Sequence, residues 1–123
     1  MFNFERLDVW KKSIELADSV YQITKSFPDF ERFGLANQMR RAAVSISSNV
    51  AEGSSRASRK EYVRFVEIAY GSTMELVSQC HIAQRQSFVS ATEAQHLYEQ
   101  AEQVARMLSG LRKSLERGLR GEG

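Results

Sequence analysis

Helix breakers are scarce in this chain. A single proline, Pro28, and seven glycines, three of them in the last six residues, leave room for long uninterrupted helices. One cysteine, Cys80, excludes an intrachain disulfide and fits a reducing compartment. No apolar run reaches the roughly 18 residues of a membrane span. The start, MFNFERLDVW, has no apolar stretch followed by a small-residue cleavage site, so no signal peptide is expected and the cytoplasm follows by default. Histidines number two, His81 and His96, too few and too separated for a metal cluster. No G-x-S-x-G elbow, C-x-x-C pair or glycine-rich phosphate loop occurs, and no arginine precedes a histidine at the short spacing used by small helical ribonucleases. Without such a constellation the sequence points to no enzyme, no cofactor and no small-molecule substrate.

The 123 residues are enough for one domain with its own core. Apolar residues make up 42% and charged residues 26%, which argues against global disorder. The formal net charge is only +2, so its distribution carries more information than its size. From Phe33 to Arg64 six basic residues (Arg40, Arg41, Arg56, Arg59, Lys60, Arg64) face two acidic ones, Glu52 and Glu61. From Arg106 onward Arg106, Arg112, Lys113, Arg117 and Arg120 face Glu116 and Glu122.

Periodicity predicts four helices and no strand. The first covers about 8–26, with Trp10, Ile14, Ala17, Tyr21 and Thr24 on one face, widened by Val9, Leu16, Val20 and Ile23. Pro28 stops it, and Phe27, Phe30 and Phe33 are expected to pin the following loop over the core. The second covers about 34–53, with Leu35, Met39, Ala42, Ala43, Ile46, Val50 and Gly53 on one face. Its reverse is also small and apolar, so a second subunit is expected to cover it. Ala36, Arg40, Val44, Ser47, Ala51 and Glu52 are the candidate oligomer contacts. Gly53 suits a left-handed residue closing this helix. Ser58 and Glu61 form a capping box opening the third helix, about 59–86, in which Gly71 and Ser72 suggest a close crossing or a kink. Its face is Tyr62, Phe65, Ala69, Thr73, Leu76, Cys80 and Ala83. Ser90 and Glu93 open the fourth, about 91–117, where Ala94, Leu97, Ala101, Val104, Leu108, Leu111 and Leu115 alternate steps of three and four. The tail 118–123 is expected to fray. Four such helices with short loops most simply make one all-α domain over residues 1–123, an antiparallel up-and-down bundle.

The basic residues read two ways. Arg56, Arg59 and Lys60 surround Ser54, Ser55 and Ser58 at a helix N-terminus, where amides, hydroxyls and guanidinium groups suit phosphate. With Arg40, Arg41 and Arg64 they are the candidate nucleic-acid contacts, for RNA or DNA, and the C-terminal cations extend the footprint. Alternatively Ser58 only caps, the arginines pair with Glu52, Glu61 and neighbouring subunits, and the C-terminal cations only suit the helix dipole.

Three segments, LDVWKKSIELADSVYQITKSFP, FGLANQMRRAAVSISSNVAEG and KEYVRFVEIAYGSTMEL, resemble the four-helix-bundle proteins encoded within intervening sequences of bacterial 23S ribosomal RNA genes. The resemblance covers roughly 7–115. It implies a left-handed antiparallel bundle assembling as a homopentamer, with no catalytic activity. More remotely the chain resembles the accessory protein of diversity-generating retroelements, a basic pentameric barrel that binds nucleic acid. Where many members read S-I-P-S-N-I-A-E-G, this chain has Ser47 for the proline and Val50 for the isoleucine. Two functions stay open: a nucleic-acid-binding oligomer, and a scaffold or adaptor that presents a protein-binding surface.

Overall fold

The computed structural model describes residues 1–119. After a short 3-10 turn, Asn3–Arg6, come four helices: α1 (Asp8–Thr24), α2 (Leu35–Ser54), α3 (Arg59–Arg85) and α4 (Ala91–Leu119). A second 3-10 turn, Asp29–Glu31, lies between α1 and α2, and no strand is present among the described residues. Side chains from all four helices meet in one core. Its largest sealed members are Leu16, Met39, Ile46, Leu76, Leu97 and Leu108. Each such side chain contributes about 1.5–3 kcal/mol by leaving water.

α1 buries a seam rotated from the expected one. Val9, Ser13, Leu16, Val20, Ile23 and Thr24 face inward, while Trp10, Ile14 and Ala17 are half-buried and Tyr21 is exposed. Two polar residues belong to this seam, Thr24 as expected and Ser13 not. The Ser13 hydroxyl donates to the Trp10 carbonyl at 2.7 Å, and that of Thr24 to the Val20 carbonyl at 2.7 Å. With their hydrogen bonds closed locally, both residues occupy core positions at little desolvation cost. The helix ends at Thr24, two residues early, as Ser26 and Phe27 turn back onto the Ile23 and Thr24 carbonyls ahead of Pro28.

The aromatic loop does not close as a group of three. Phe27 is buried and packs on Phe88 with ring centroids 5.4 Å apart. Phe30 touches the same ring edge-on but stays exposed. Phe33 is 85% exposed, with the Arg32 guanidinium 5.5 Å from its ring.

α2 buries its whole expected face, Leu35 to Gly53, and runs without a break through Ser47. Gly53 does not close the helix. It lies inside the last turn, where a Cβ would fall 2.7 Å from Cβ of Phe65 and 3.1 Å from the Tyr62 ring. Its function is close approach of α2 to α3. Contacts between these two helices ascend one as they descend the other. Gln38 lines a cleft with Ile82 and Gln86, Ser45 Oγ lies 2.9 Å from Ser72 Oγ, and Gly53 abuts Phe65. Asn49 completes a polar rung, donating to the Ser45 carbonyl at 2.8 Å and its hydroxyl at 3.0 Å.

α3 opens on Ser58, whose hydroxyl accepts from the Glu61 amide at 3.1 Å. It continues without a break through Gly71 and Ser72. Nothing lies within 4 Å of a Cβ built on Gly71, so the close crossing expected there is absent. Ser90 and Glu93 form the full reciprocal capping box. α4 buries Ala94, Leu97, Ala101, Val104, Leu108 and Leu115, with Leu111 half-buried. It is helical past its expected end, through Gly118 to Leu119, and the remainder of the expected frayed tail lies outside the described residues.

Candidate nucleic-acid interface

The α2–α3 connection, residues 55–58, and the start of α3 hold four of the six central cations singled out from sequence, Arg56, Arg59, Lys60 and Arg64. Ser54 and Ser55 donate their hydroxyls to the Ala51 and Glu52 carbonyls at 2.8 and 2.7 Å. With Ser58 capping α3, all three serines of the loop have structural bonds, so the corner is built to hold its shape.

Arg56 is fixed on two sides. Its Nη2 donates to Glu52 Oε1 at 3.0 Å, and its guanidinium carbon sits 4.7 Å from the Phe65 ring centroid. The exposed ion pair alone is worth about 0.3–0.5 kcal/mol, so the ring contact contributes as much to orientation as the charge. Arg59 crosses to the far end of α4. A Cβ on Gly118 would stand 2.5 Å from Arg59 Nη1, so the guanidinium lies flat on that glycine.

This contact brings the two basic segments of the sequence to one end of the molecule. Arg56, Arg59, Lys60 and Arg64 come from the corner, and Arg112, Lys113 and Arg117 from the last turns of α4. Arg112 Nε lies 3.4 Å from Glu116 Oε1. Among the described residues no carboxylate lies within salt-bridge distance of Arg59, Lys60, Arg64, Lys113 or Arg117. This end therefore carries five cations without an ion pair among the described residues, beside Glu52, Glu61 and Glu116. Lys113, Arg117 and the Arg59 guanidinium on Gly118 all suit the negative end of the α4 dipole.

Arg40 and Arg41 are not part of this surface. At 1.5 Å per residue, Arg41 stands about 20 Å along α2 from Arg56. Arg40 is half-buried, its Nε donating to Thr24 Oγ1 at 2.8 Å and its guanidinium carbon 5.0 Å from the Tyr21 ring. It joins α1 to α2. Arg41 is exposed.

The candidate oligomer contacts divide in the same way. Ala36 and Ser47 are buried within the chain itself, at 2% and 7% exposure, so they have almost no surface to give a neighbour. The chain supplies their cover, with α1 and the Asp29–Glu31 turn beside α2. Val44 is exposed, Ala51 and Arg40 are half-buried, and Glu52 is exposed but tied to Arg56.

The remaining candidates for chemistry stay apart. His81 meets Tyr98 edge-on with centroids 6.2 Å apart, and His96 is exposed. Among the described residues no three metal-binding side chains cluster. Cys80 is buried, and burial pushes its thiol above its ordinary value, as it does the Tyr62 phenol. A thiol held protonated is a poor nucleophile. No helix among the described residues is long and apolar enough to cross a membrane.

Sequence reading passes over the N-terminal aromatics. Phe2 and Phe4 stack with centroids 6.1 Å apart and planes within 4°, and Phe4 meets Trp10 edge-on at 5.1 Å. Phe2, Asn3 and Phe4 share an open cleft of about 570 Å³ with Ser48, Ala51, Glu52, Ser54 and Ser55. The one signal for it in the sequence is the aromatic set Phe2 and Phe4 ahead of α1 with Trp10 in its first turn.

Comparison with known proteins sets this corner in context. The family described as 23S rRNA-intervening sequence protein matches residues 5–110. The chain belongs to this family. No curated protein matches it. A crystal structure of a Bacteroides thetaiotaomicron protein of unknown function, from the S23 ribosomal protein family, shares the fold at a TM-score of 0.80 and 20% identity, over 85% of this chain and 98% of that one. The corner coincides with the end of this chain's SISSNVAEG segment and the basic loop after it, within the matched residues.

Proposed function

We propose that this protein is a non-enzymatic, cytoplasmic bundle, antiparallel, up-and-down and left-handed, that assembles as a homopentamer and binds structured RNA through a basic surface repeated around the ring. The observation carrying this reading is the Arg59–Gly118 contact, which joins the corner cations to those ending α4. Five chains of formal charge +2 give 5 × 2 = +10, and repetition of the surface adds avidity. No cofactor or small-molecule substrate enters this reading. The test is binding of a labelled RNA hairpin to the whole protein across salt, with the mass of the free and bound oligomer. Affinity is expected to fall steeply with salt, because phosphate neutralisation releases counterions. An affinity independent of salt excludes the electrostatic mechanism.

A second reading, a scaffold or adaptor, is favoured by a cleft of about 300 Å³ between α3 and α4. Tyr70, Met74 and Tyr98 line it and are partly exposed. In that case Arg56→Ala with Arg59→Ala leaves RNA binding unchanged.

A further inference from the structure

A second group of cations meets where α1 gives way to α2, far from the basic end. Lys25, Arg32 and Arg40 line a cavity of about 230 Å³ together with Thr24, Asp29 and Ala36. Asp29 is the one carboxylate among the lining residues. Among the described residues no carboxylate, Asp29 included, lies within salt-bridge distance of any of the three cations. Asp29 and the roughly half negative charge at the end of α1 offset about half of their charge. Arg40 is the innermost of the three. It is half-buried, whereas Lys25 and Arg32 are exposed. A charge drawn out of water is costly unless an opposite charge meets it. The Arg40 guanidinium is also held in one orientation. Its Nε donates to Thr24 Oγ1 at 2.8 Å, its carbon lies 5.0 Å from the Tyr21 ring centroid, and Thr24 is itself tied to the Val20 carbonyl at 2.7 Å. A guanidinium has five N–H donors, and Thr24 engages one. The edge formed by Nη1 and Nη2 has no acceptor among the described residues.

We propose that this cavity binds a phosphate group, as the free ion or as the head of a small phosphomonoester, with Arg40 as its anchor. Charge complementarity selects the class of ligand, since three cations surround the cavity against one carboxylate. Geometry narrows it. The Nη edge of a guanidinium matches two oxygens of a phosphate in parallel, and a tetrahedral group has further oxygens for Lys25 and Arg32. Size narrows it again, because the cavity falls below the roughly 300 Å³ at which pockets for drug-sized ligands begin. Arg32 rests 5.5 Å from the exposed Phe33 ring, so it closes the outer side while Arg40 holds the inner one. Asp29 repels the ligand and limits its affinity. The site goes beyond the RNA reading and does not depend on it, because Arg40 lies about 20 Å or more along α2 from Arg56.

The experiment is equilibrium dialysis of the whole protein against radiolabelled inorganic phosphate at neutral pH, with ionic strength held constant by chloride. Wild type is compared with Arg40→Lys, Arg32→Ala, Asp29→Asn and Arg59→Ala. Wild type is expected to retain phosphate saturably. Arg40→Lys is expected to weaken retention about 10-fold or more, because an ammonium cannot present the two-donor edge. Arg32→Ala should weaken it about 2- to 5-fold, as for an exposed charge, and Asp29→Asn should strengthen it by a similar factor. Arg59→Ala should leave it unchanged. Unlabelled glycerol phosphate then competes: displacement at lower concentration than unlabelled phosphate supports the site with a monoester as its ligand, and displacement only at higher concentration supports it with the free ion. Absence of saturable retention by wild type overturns the proposal. So does retention that Arg40→Lys leaves unchanged, or retention that falls in Arg59→Ala but not in Arg32→Ala, which places the phosphate at the basic end. A changed oligomer mass in Arg40→Lys assigns the guanidinium to contact with another copy and also overturns it. Where Arg40→Lys does not fold, Arg32→Ala and Asp29→Asn decide, and no change in either rejects the site. RNA takes no part in the experiment, so either reading can fail alone.

Discussion

Gly53 packs directly against Phe65: a Cβ on the glycine would come within 2.7 Å of the Phe65 Cβ. That neighbour is fixed to the α3 backbone and cannot rotate away. Helix propensity alone favours alanine over glycine by about 1 kcal/mol, but overpacking a tight contact costs about 1–3 kcal/mol. Gly53→Ala is therefore expected to destabilise the protein, and Gly71→Ala, with nothing within 4 Å, to stabilise it by roughly 0.5–1 kcal/mol. Guanidinium unfolding of the two variants checks this. The account fails if both shift the midpoint in the same direction.

The two glycines also show what the sequence can and cannot say. Sequence reading gives Gly53 both a core position and a helix end, and Gly71 a close crossing or a kink; the structure keeps Gly53 as the close approach and leaves Gly71 open. A glycine reports only that a side chain is missing. Whether the reason is backbone conformation or a neighbour depends on the other helix. Helix number, the α2 and α4 core faces and the Ser90–Glu93 box are legible because periodicity and capping are local properties. The centre of the α1 seam is less so, because Ser13 conceals its polarity in a hydrogen bond to its own helix. The basic end is half legible. Composition marks both cationic segments, but only the Arg59–Gly118 contact shows that they adjoin. Phe2 escapes sequence reading because an aromatic near a chain end looks like any other hydrophobe.

Ser87 closes α3 in the left-handed region, with φ 63°. The following amide, Phe88 N, bonds the Ala83 carbonyl at 2.9 Å, which holds the reversed turn that points Phe88 at Phe27. A β-carbon in this conformation costs roughly 1 kcal/mol. Ser87→Gly is expected to raise stability by about 0.5–1 kcal/mol, and Ser87→Val to lower it by about 1–2 kcal/mol. On thermal unfolding the order should be Gly above Ser above Val.

Burial raises the Cys80 thiol from an ordinary value of 9.0 and the Tyr62 phenol from 10.0. In both cases the folded state holds the proton more tightly than the unfolded state. The associated stability is complete below the unfolded values and is lost as pH rises through the folded ones. Unfolding free energy is thus expected to decline from about pH 9 upward, with no loss from these groups near neutrality. Denaturant melts between pH 7 and 10.5 measure it, and a thiol reagent at pH 8 should label Cys80 only after denaturation.

Arg40 and Arg59 are predicted to separate stability from binding. Arg40 bonds Thr24 and lies over Tyr21, both on α1. Arg40→Ala leaves the Thr24 oxygen without its partner from α2 and uncovers the ring, at an expected cost of about 1–2 kcal/mol. Lysine should not rescue it, since one ammonium cannot both reproduce the Nε–H bond and stack flat on Tyr21. RNA affinity should change less than about 2-fold, because Arg40 lies outside the basic end. Arg59→Ala is expected to do the opposite. Its guanidinium rests on Gly118 at the surface, so unfolding should shift by less than about 0.5 kcal/mol. RNA affinity should fall, and the slope of log affinity against log salt should shrink by about 0.7–0.9 for each phosphate that a chain no longer neutralises. If Arg40→Ala instead reduces the salt slope while Arg59→Ala leaves it unchanged, the binding surface lies along the α1–α2 flank.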